Sequence, residues 1–223
     1  MTNIHANKTP ASAYLIRREA ANDYRETENL VRKAFWNLYV PGCGEHYLVH
    51  IMRTHPDFLP ELDFVLEVDG KIIGSIMYTK AKLTNTTGAE KEILTFGPLA
   101  ILPAYQRRGY GKILLEHSFK KALSLGYDTI VIFGNPGNYI SRGFISCKKR
   151  NICLADGTFP TAMLVKELKP GSWDGCAWVY SDSPVMHIQE EDVQRFDETL
   201  EPLEKKYQPS QEEFFIYSHS FVL

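Results

Sequence analysis

One run of this 223-residue chain leaves few folds open. Gln106-Arg107-Arg108-Gly109-Tyr110-Gly111-Lys112 lies between an apolar strand, Ile93 to Ile101, and an amphipathic helix, Lys112 to Leu125. Leu115, Phe119, Ala122 and Leu123 mark the inward face of that helix, and Gly126 stands where a C-cap belongs. Thr129 to Phe133 then reads as a short β-branched strand of the kind buried in a sheet interior. Strand, loop, helix and strand in this order require a right-handed crossover and two strands close together in one sheet. Gly97-Pro98 inside the first strand marks a bulge or a parting from a neighbour. Glycines at a helix start let the backbone approach a ligand, and the free N–H groups and dipole there attract anions. Arg107, Arg108 and Lys112 add charge, so a pyrophosphate is the natural guest.

Familiar phosphate loops do not fit. A Walker loop needs Gly-Lys-[Ser/Thr], and Gly111-Lys112 is followed by Ile113. A dinucleotide or kinase loop needs a third glycine, and Lys112, Ile113 and Leu114 stand there instead. Composition removes further classes. A net charge of -2 argues against a nucleic-acid binder carried by bulk charge. No run approaches 18 apolar residues, so no membrane span is expected. The polar segment 1–12 has no signal-peptide pattern, and Cys43, Cys147, Cys153 and Cys176 form no CxxC pair or zinc spacing, so a cytoplasmic protein with free thiols and no metal is expected. Asn85-Thr86-Thr87 matches a glycosylation pattern but reads better as a polar loop.

The rest of the chain supplies a sheet and flanking helices. Ala13 to Glu19 reads as a strand, followed by a helix with Asp23 and Glu26 as its capping pair. Leu30, Val31, Ala34, Phe35 and Leu38 repeat at helical spacing until Pro41-Gly42. A second helix spans Glu45 to Thr54, with Tyr47, Leu48, Ile51 and Met52 as its apolar side. Phe64 to Val68 and Ile72 to Thr79 flank Asp69-Gly70, a type I′ hairpin turn. Further strands are expected at Lys149 to Leu154 and Ala162 to Leu168. Beyond Lys169, residues 187–223 hold nine acidic side chains against three basic ones. A helix around Glu190 to Tyr207 would form a solvated extension on the core; the other reading is a partner-binding or dimerising tail, a homodimer included.

Q-x-x-G-x-G at Gln106 to Gly111, together with Tyr139-Ile140-Ser141-Arg142-Gly143-Phe144, resembles the GNAT superfamily of acyl-CoA-dependent N-acetyltransferases. The resemblance covers about residues 13–167. It implies an α+β domain, 13–168, with a twisted, mostly antiparallel sheet splayed at the acyl-CoA site, followed by an extension over 169–223. It also implies that Gln106, Arg107, Arg108, Gly109, Tyr110, Gly111 and Lys112 wrap the pyrophosphate of acetyl-CoA, bound as co-substrate. Leu99, Ala100 and Ile101 would pair with pantetheine, with Asn138 beside it or setting the turn. Tyr139 would be the general acid to the departing thiolate, since a phenol is a usable donor toward it.

An amine acceptor must lose a proton before it attacks, because an alkylamine has a pKa near ~10. Glu92, Glu67, Glu45 and His46 are the candidate bases, with no choice among them. Trp36, Tyr39, Glu45, His46 and Tyr47 fall where the family builds its acceptor site. Cys147 and Cys153 have no adjacent histidine that would make either a nucleophile. The implied activity is direct acetyl transfer to a primary amine of a small molecule or a protein. The alternatives are a longer acyl group, or a module that binds acyl-CoA without turnover.

Overall fold

The computed structural model describes residues 13–171, 173 and 175–223; segment 1–12 lies outside the described residues. In chain order the main elements are β1 (Tyr14–Arg18), α1 (Tyr24–Phe35), α2 (Glu45–Met52), β2 (Phe64–Val68), β3 (Lys71–Ile76), β4 (Tyr78–Asn85), β5 (Glu90–Phe96), β6 (Ala100–Ile101), α3 (Tyr110–Ser124) and β7 (Thr129–Phe133). They continue with α4 (Pro136–Tyr139), β8 (Ile145–Ser146), β9 (Ile152–Cys153), β10 (Met163–Glu167), β11 (Trp178–Ser181), α5 (Glu190–Asp197) and α6 (Pro209–Ser218).

Two sheets share their long strands. One has the order β1-β2-β3-β6, the other β8-β10-β7-β5-β4-β11-β9. The return strand read as Ile72 to Thr79 changes sheets at Met77, between β3 and β4. The strand read as Ile93 to Ile101 does the same at Gly97-Pro98-Leu99, between β5 and β6. All pairings are antiparallel except β5 with β7 and β9 with β11. β5 and β7 meet at one pair, Leu94 and Ile130. Beyond it β5 turns away, and β6 pairs with β3 instead, through Gly74–Ile101 and Ser75–Ala100. The sheet is therefore split between β6 and β7, as the glycine and proline in the strand had suggested. Gly97 has no room for a side chain, since a Cβ would sit 2.9 Å from the Met52 sulfur.

Alternation along the strands feeds cores on both faces. Phe64, Leu66 and Val68 of β2 and Ile130 and Ile132 of β7 pack beneath α3 with Leu114 and Leu115. Val65, Ile72 and Ala100 pack beneath α1 and α2 with Leu30, Val31, Val49 and Met52. Val131 points the other way, toward Ile93, Met163 and Trp178. Fully buried side chains such as Leu114 and Met52 each stabilise the fold by about 2–5 kcal/mol relative to alanine.

Several local expectations change. Leu123 faces solvent, and the buried stripe of α3 is Tyr110, Leu114, Leu115, Ser118 and Ala122. The buried stripe of α2 is His46, Val49 and Met52, not Tyr47, Leu48 and Ile51. Asp23 does not pair with Glu26: its carboxylate accepts from the Ala20 N–H at 2.8 Å and from Arg17. Asn85 builds a turn, accepting from Thr87 and Ala89 through its side-chain oxygen. Lys149 to Leu154 begins at the end of a 3-10 turn, Cys147–Arg150, and only Ile152 and Cys153 are strand.

The region after Lys169 differs most. β11 inserts into the larger sheet between β4 and β9. The helix read as Glu190 to Tyr207 stops at Asp197; an extended segment follows, then α6. Pro202 and Pro209 account for this, because proline cannot continue a helix but suits a first turn.

Candidate active site

A cavity of about 680 Å³ occupies the split between β6 and β7. At one end lies the start of α3. Gly109, the N-cap, has φ of 91°, and Arg107 has φ of 59°. These left-handed turns fold the loop back on itself, a geometry that gathers successive N–H groups toward one point. The first helical bond is donated by Ile113 to the Gly109 carbonyl at 3.2 Å, so Tyr110, Gly111 and Lys112 present N–H groups without helical acceptors. Gln106 braces the loop: its Nε2 donates to the Ile101 carbonyl at 2.9 Å.

The structure brings most of the expected donor residues to this cavity. Leu99, Ile101, Gln106, Arg107, Gly109, Tyr110, Gly111, Lys112, Asn138 and Tyr139 line it. Two others face elsewhere. The Ala100 side chain is buried beneath α1, because alternation along β6 turns it from the cleft. Arg108 lies over the Tyr105 ring at 5.7 Å, outside the cavity wall. Arg142, which the sequence reading had not singled out, adds a guanidinium to the wall. Its position follows from the turn after α4, where Lys166 Nζ donates to the Arg142 carbonyl at 2.8 Å.

Tyr139 also lines the cleft. Its ring packs on the Cα of Gly134, where any Cβ would lie 2.6 Å away, and against Phe144 at 5.5 Å. Burial raises its phenol well above the ordinary range, so the group is held protonated near neutrality.

The wall is completed by residues that include Phe35, Leu38, Tyr39, Glu45, Leu48 and Met186. The structure separates the four candidate bases. Glu67 is paired with Arg17 at 2.6 Å. Glu92 accepts from Tyr127 at 2.9 Å and pairs with Lys80 on the outer surface. His46 is buried on the inner face of α2 and does not line the cavity. Glu45 alone of the four lines the cavity, where burial pushes its carboxyl up to about 7. Asp182, from the turn after β11, is a second carboxylate on the wall and accepts from His187. Of the five acceptor-side residues named from sequence, Tyr39 and Glu45 reach the cavity. Trp36 instead donates to the Glu204 carbonyl at 3.0 Å, and Tyr47 packs on Phe196.

His46 belongs to a closed buried cluster. Its Nε2 is 3.1 Å from Asp197, its Nδ1 is 3.3 Å from the Cys43 thiol, and Arg32 pairs with Asp197 at 3.0 Å. Burial holds the imidazole below its ordinary range and the thiol far above its own. A neutral imidazole facing a carboxylate carries its proton on Nε2, which leaves Nδ1 to accept from the thiol. Cys43 is thus an inert thiol, and the cluster's work is to bind α5 to α1 and α2.

A family model described as Acetyltransferase (GNAT) family matches residues 32–147, just over half of the chain. This protein is a GNAT acetyltransferase. Its matched stretch runs from α1 through the phosphate-ready loop to the end of the Tyr139–Phe144 segment. YjhQ of Escherichia coli strain K12, described as an uncharacterized N-acetyltransferase, is 25% identical over 153 residues, which is 69% of this acetyltransferase and 76% of YjhQ. Among solved structures, the GNAT protein YhbS from Escherichia coli in complex with CoA superposes with a TM-score of 0.67 at 23% identity, covering 79% of this chain and 93% of that one. A GNAT acetyltransferase from Brucella melitensis in complex with acetyl-CoA gives 0.61 at 21%, covering 79% and 99%. These likenesses show that the GNAT fold is shared. Among the described residues no group of His, Cys, Asp and Glu is arranged to hold a metal, and no helix is long and apolar enough to cross a membrane.

Proposed function

We propose that this acetyltransferase moves an acetyl group from acetyl-CoA directly to a primary amine. One observation carries the reading: an anion-ready helix start, a protonated phenol and a half-buried carboxylate line the same cavity. The loop residues fit a CoA pyrophosphate, since Gly109 and Arg107 adopt the turn that such a guest needs and Lys112 stands at its edge. The relatives solved with CoA and acetyl-CoA share this fold and support the same donor.

Acetyl-CoA supplies a thioester, whose C–S bond is exchanged for the C–N bond of an amide. Glu45 accepts the proton that the amine must lose. Its raised affinity for protons narrows the gap to an alkylamine to about 3 units, counted from ~10 for the amine. A backbone N–H in the stretch 99–101, on the unpaired side of β6, holds the carbonyl oxygen as it gains charge. Tyr139 gives its proton to the departing sulfur and is reprotonated, by way of solvent, with the second proton that the nitrogen loses as the amide forms, while Glu45 releases the first to solvent. No side chain becomes acylated.

Incubation with acetyl-CoA and a panel of primary amines, read by thiol release, tests this directly. Amine-dependent release is expected, with a loss of at least a hundredfold in Glu45→Gln. Tight acetyl-CoA binding without transfer to any amine would leave the non-catalytic module as the better reading.

A further inference from the structure

α6 packs behind Tyr39, on the wall of the cavity that also carries Glu45. The extended stretch 201–208 is fastened along the end of α1. Arg32 donates to the Glu201 carbonyl at 2.8 Å, and both Trp36 and Asn37 donate to the Glu204 carbonyl at 3.0 Å. Asn37, in a left-handed conformation with φ of 60°, also accepts from the N–H groups of Gly42 and Lys206 through its side-chain oxygen. Gln211 donates to the Asn37 carbonyl at 3.0 Å, and Ser210 to that of Leu38 at 2.8 Å. At the far side the chain is fixed again: Thr161 donates to the Ser220 carbonyl and Val222 to that of Phe159, both at 2.8 Å. α6 is therefore a strap held at both ends, from α1 to the loop before β10.

Between those anchors α6 meets the acceptor wall. Phe214 stacks on Tyr39 with ring centroids 4.7 Å apart, and Tyr39 lines the cavity. The phenol of Tyr217 interacts with that of Tyr39 and lies near enough to Tyr139 to feel it. Glu45 acts electrostatically on Tyr39 from the same wall. Three phenols and a carboxylate thus gather beside Phe35, Leu38 and Leu48. A carboxylate among aromatic faces attracts an alkylammonium, and the apolar neighbours accept a hydrocarbon body.

We infer that the C-terminal strap backs the acceptor site by holding its Tyr39 wall in place, and that the acceptor is a small primary amine with an apolar body. Its ammonium is held by Glu45 and its body by Tyr39, Leu38 and Leu48. Phe214 and Tyr217 are positioning residues that fix the Tyr39 ring. The acceptor is small because the cavity of about 680 Å³ must hold the donor arm as well. This inference rests on the acetyl-transfer reading above.

The test uses the full chain with acetyl-CoA and two acceptor probes, 2-phenylethylamine and a short peptide with a free N-terminus and one lysine. 2-Phenylethylamine is expected to give a kcat/KM at least tenfold above the peptide. Phe214→Ala should raise its KM about tenfold with kcat held within twofold, as expected when apolar contacts to the substrate are loosened. Tyr217→Phe, which keeps the ring and the packing, should raise KM by a smaller factor. Calorimetry should find the Kd for acetyl-CoA unchanged in both variants. A peptide that outcompetes the small amine overturns the inference, as does an unchanged KM in both variants. So does a shift in acetyl-CoA Kd as large as the shift in KM. Failure of the wild-type chain to bind acetyl-CoA in the same calorimetry would instead overturn the donor reading.

Discussion

The donor half of the cleft draws its residues from one run, 99–112, with Asn138 and Tyr139 added from the turn after β7, whereas the acceptor half draws on residues 34–48, 182–186 and the strap at 214–217. The first is mostly backbone: N–H groups at a helix start, set by two left-handed turns. The second is side chains from three parts of the chain, held by hydrogen bonds that span more than 160 residues, such as Asn37 to Glu204. A backbone site tolerates many side chains but few changes of turn geometry. A side-chain site should respond residue by residue.

That contrast can be broken in four places. The largest effect is expected from Glu45→Gln, which should lower kcat at neutral pH by roughly 10²–10⁴ while leaving acetyl-CoA binding intact. A loss of binding in that variant would mean that the two halves are not separate. Gly109→Trp should weaken acetyl-CoA binding about a hundredfold or more by calorimetry, since it forces a bulky side chain into a left-handed turn at the anion site. Normal binding would contradict the loop assignment. Tyr139→Phe should lower kcat by about tenfold or more. An unchanged kcat across pH would remove Tyr139 as the acid.

The smallest effect is on stability. Glu45 binds its proton in the folded chain up to about pH 7, but in the unfolded chain only to about pH 4.3. The unfolded state therefore holds fewer protons between these values, and the group costs stability as pH rises through that window. Glu45→Gln should raise Tm by roughly 2–4 °C at pH 8 for each kcal/mol recovered, and by nearly nothing at pH 4. An equal shift at both pH values would show that burial of the carboxylate is not the cause.

The same contrast explains what could be read from sequence. Gln106 to Lys112 was legible because a helix start, its glycines and its charges are contiguous, and the parting of the sheet was legible in Gly97-Pro98. The exceptions are matters of phase: alternation on a two-residue strand turned Ala100 inward, and Arg108 lies over the Tyr105 ring instead of lining the cavity. Glu45 was named among four candidates but could not be chosen, since only packing decides which carboxylate is desolvated. Asp197 meeting His46, or Phe214 meeting Tyr39, has no local signal, because each contact joins segments more than 150 residues apart. The helix boundaries in the extension were missed even though Pro202 and Pro209 were in plain view.

The account turns on Glu45 serving the acceptor half as base. The pH dependence of kcat/KM for the amine, measured at saturating acetyl-CoA in the wild type and in Glu45→Gln, tests this most directly. The account predicts that wild-type kcat/KM falls tenfold per pH unit below about 7, and that this limb is absent from the variant. A wild-type profile without a break near 7, or the same break in Glu45→Gln, would contradict it.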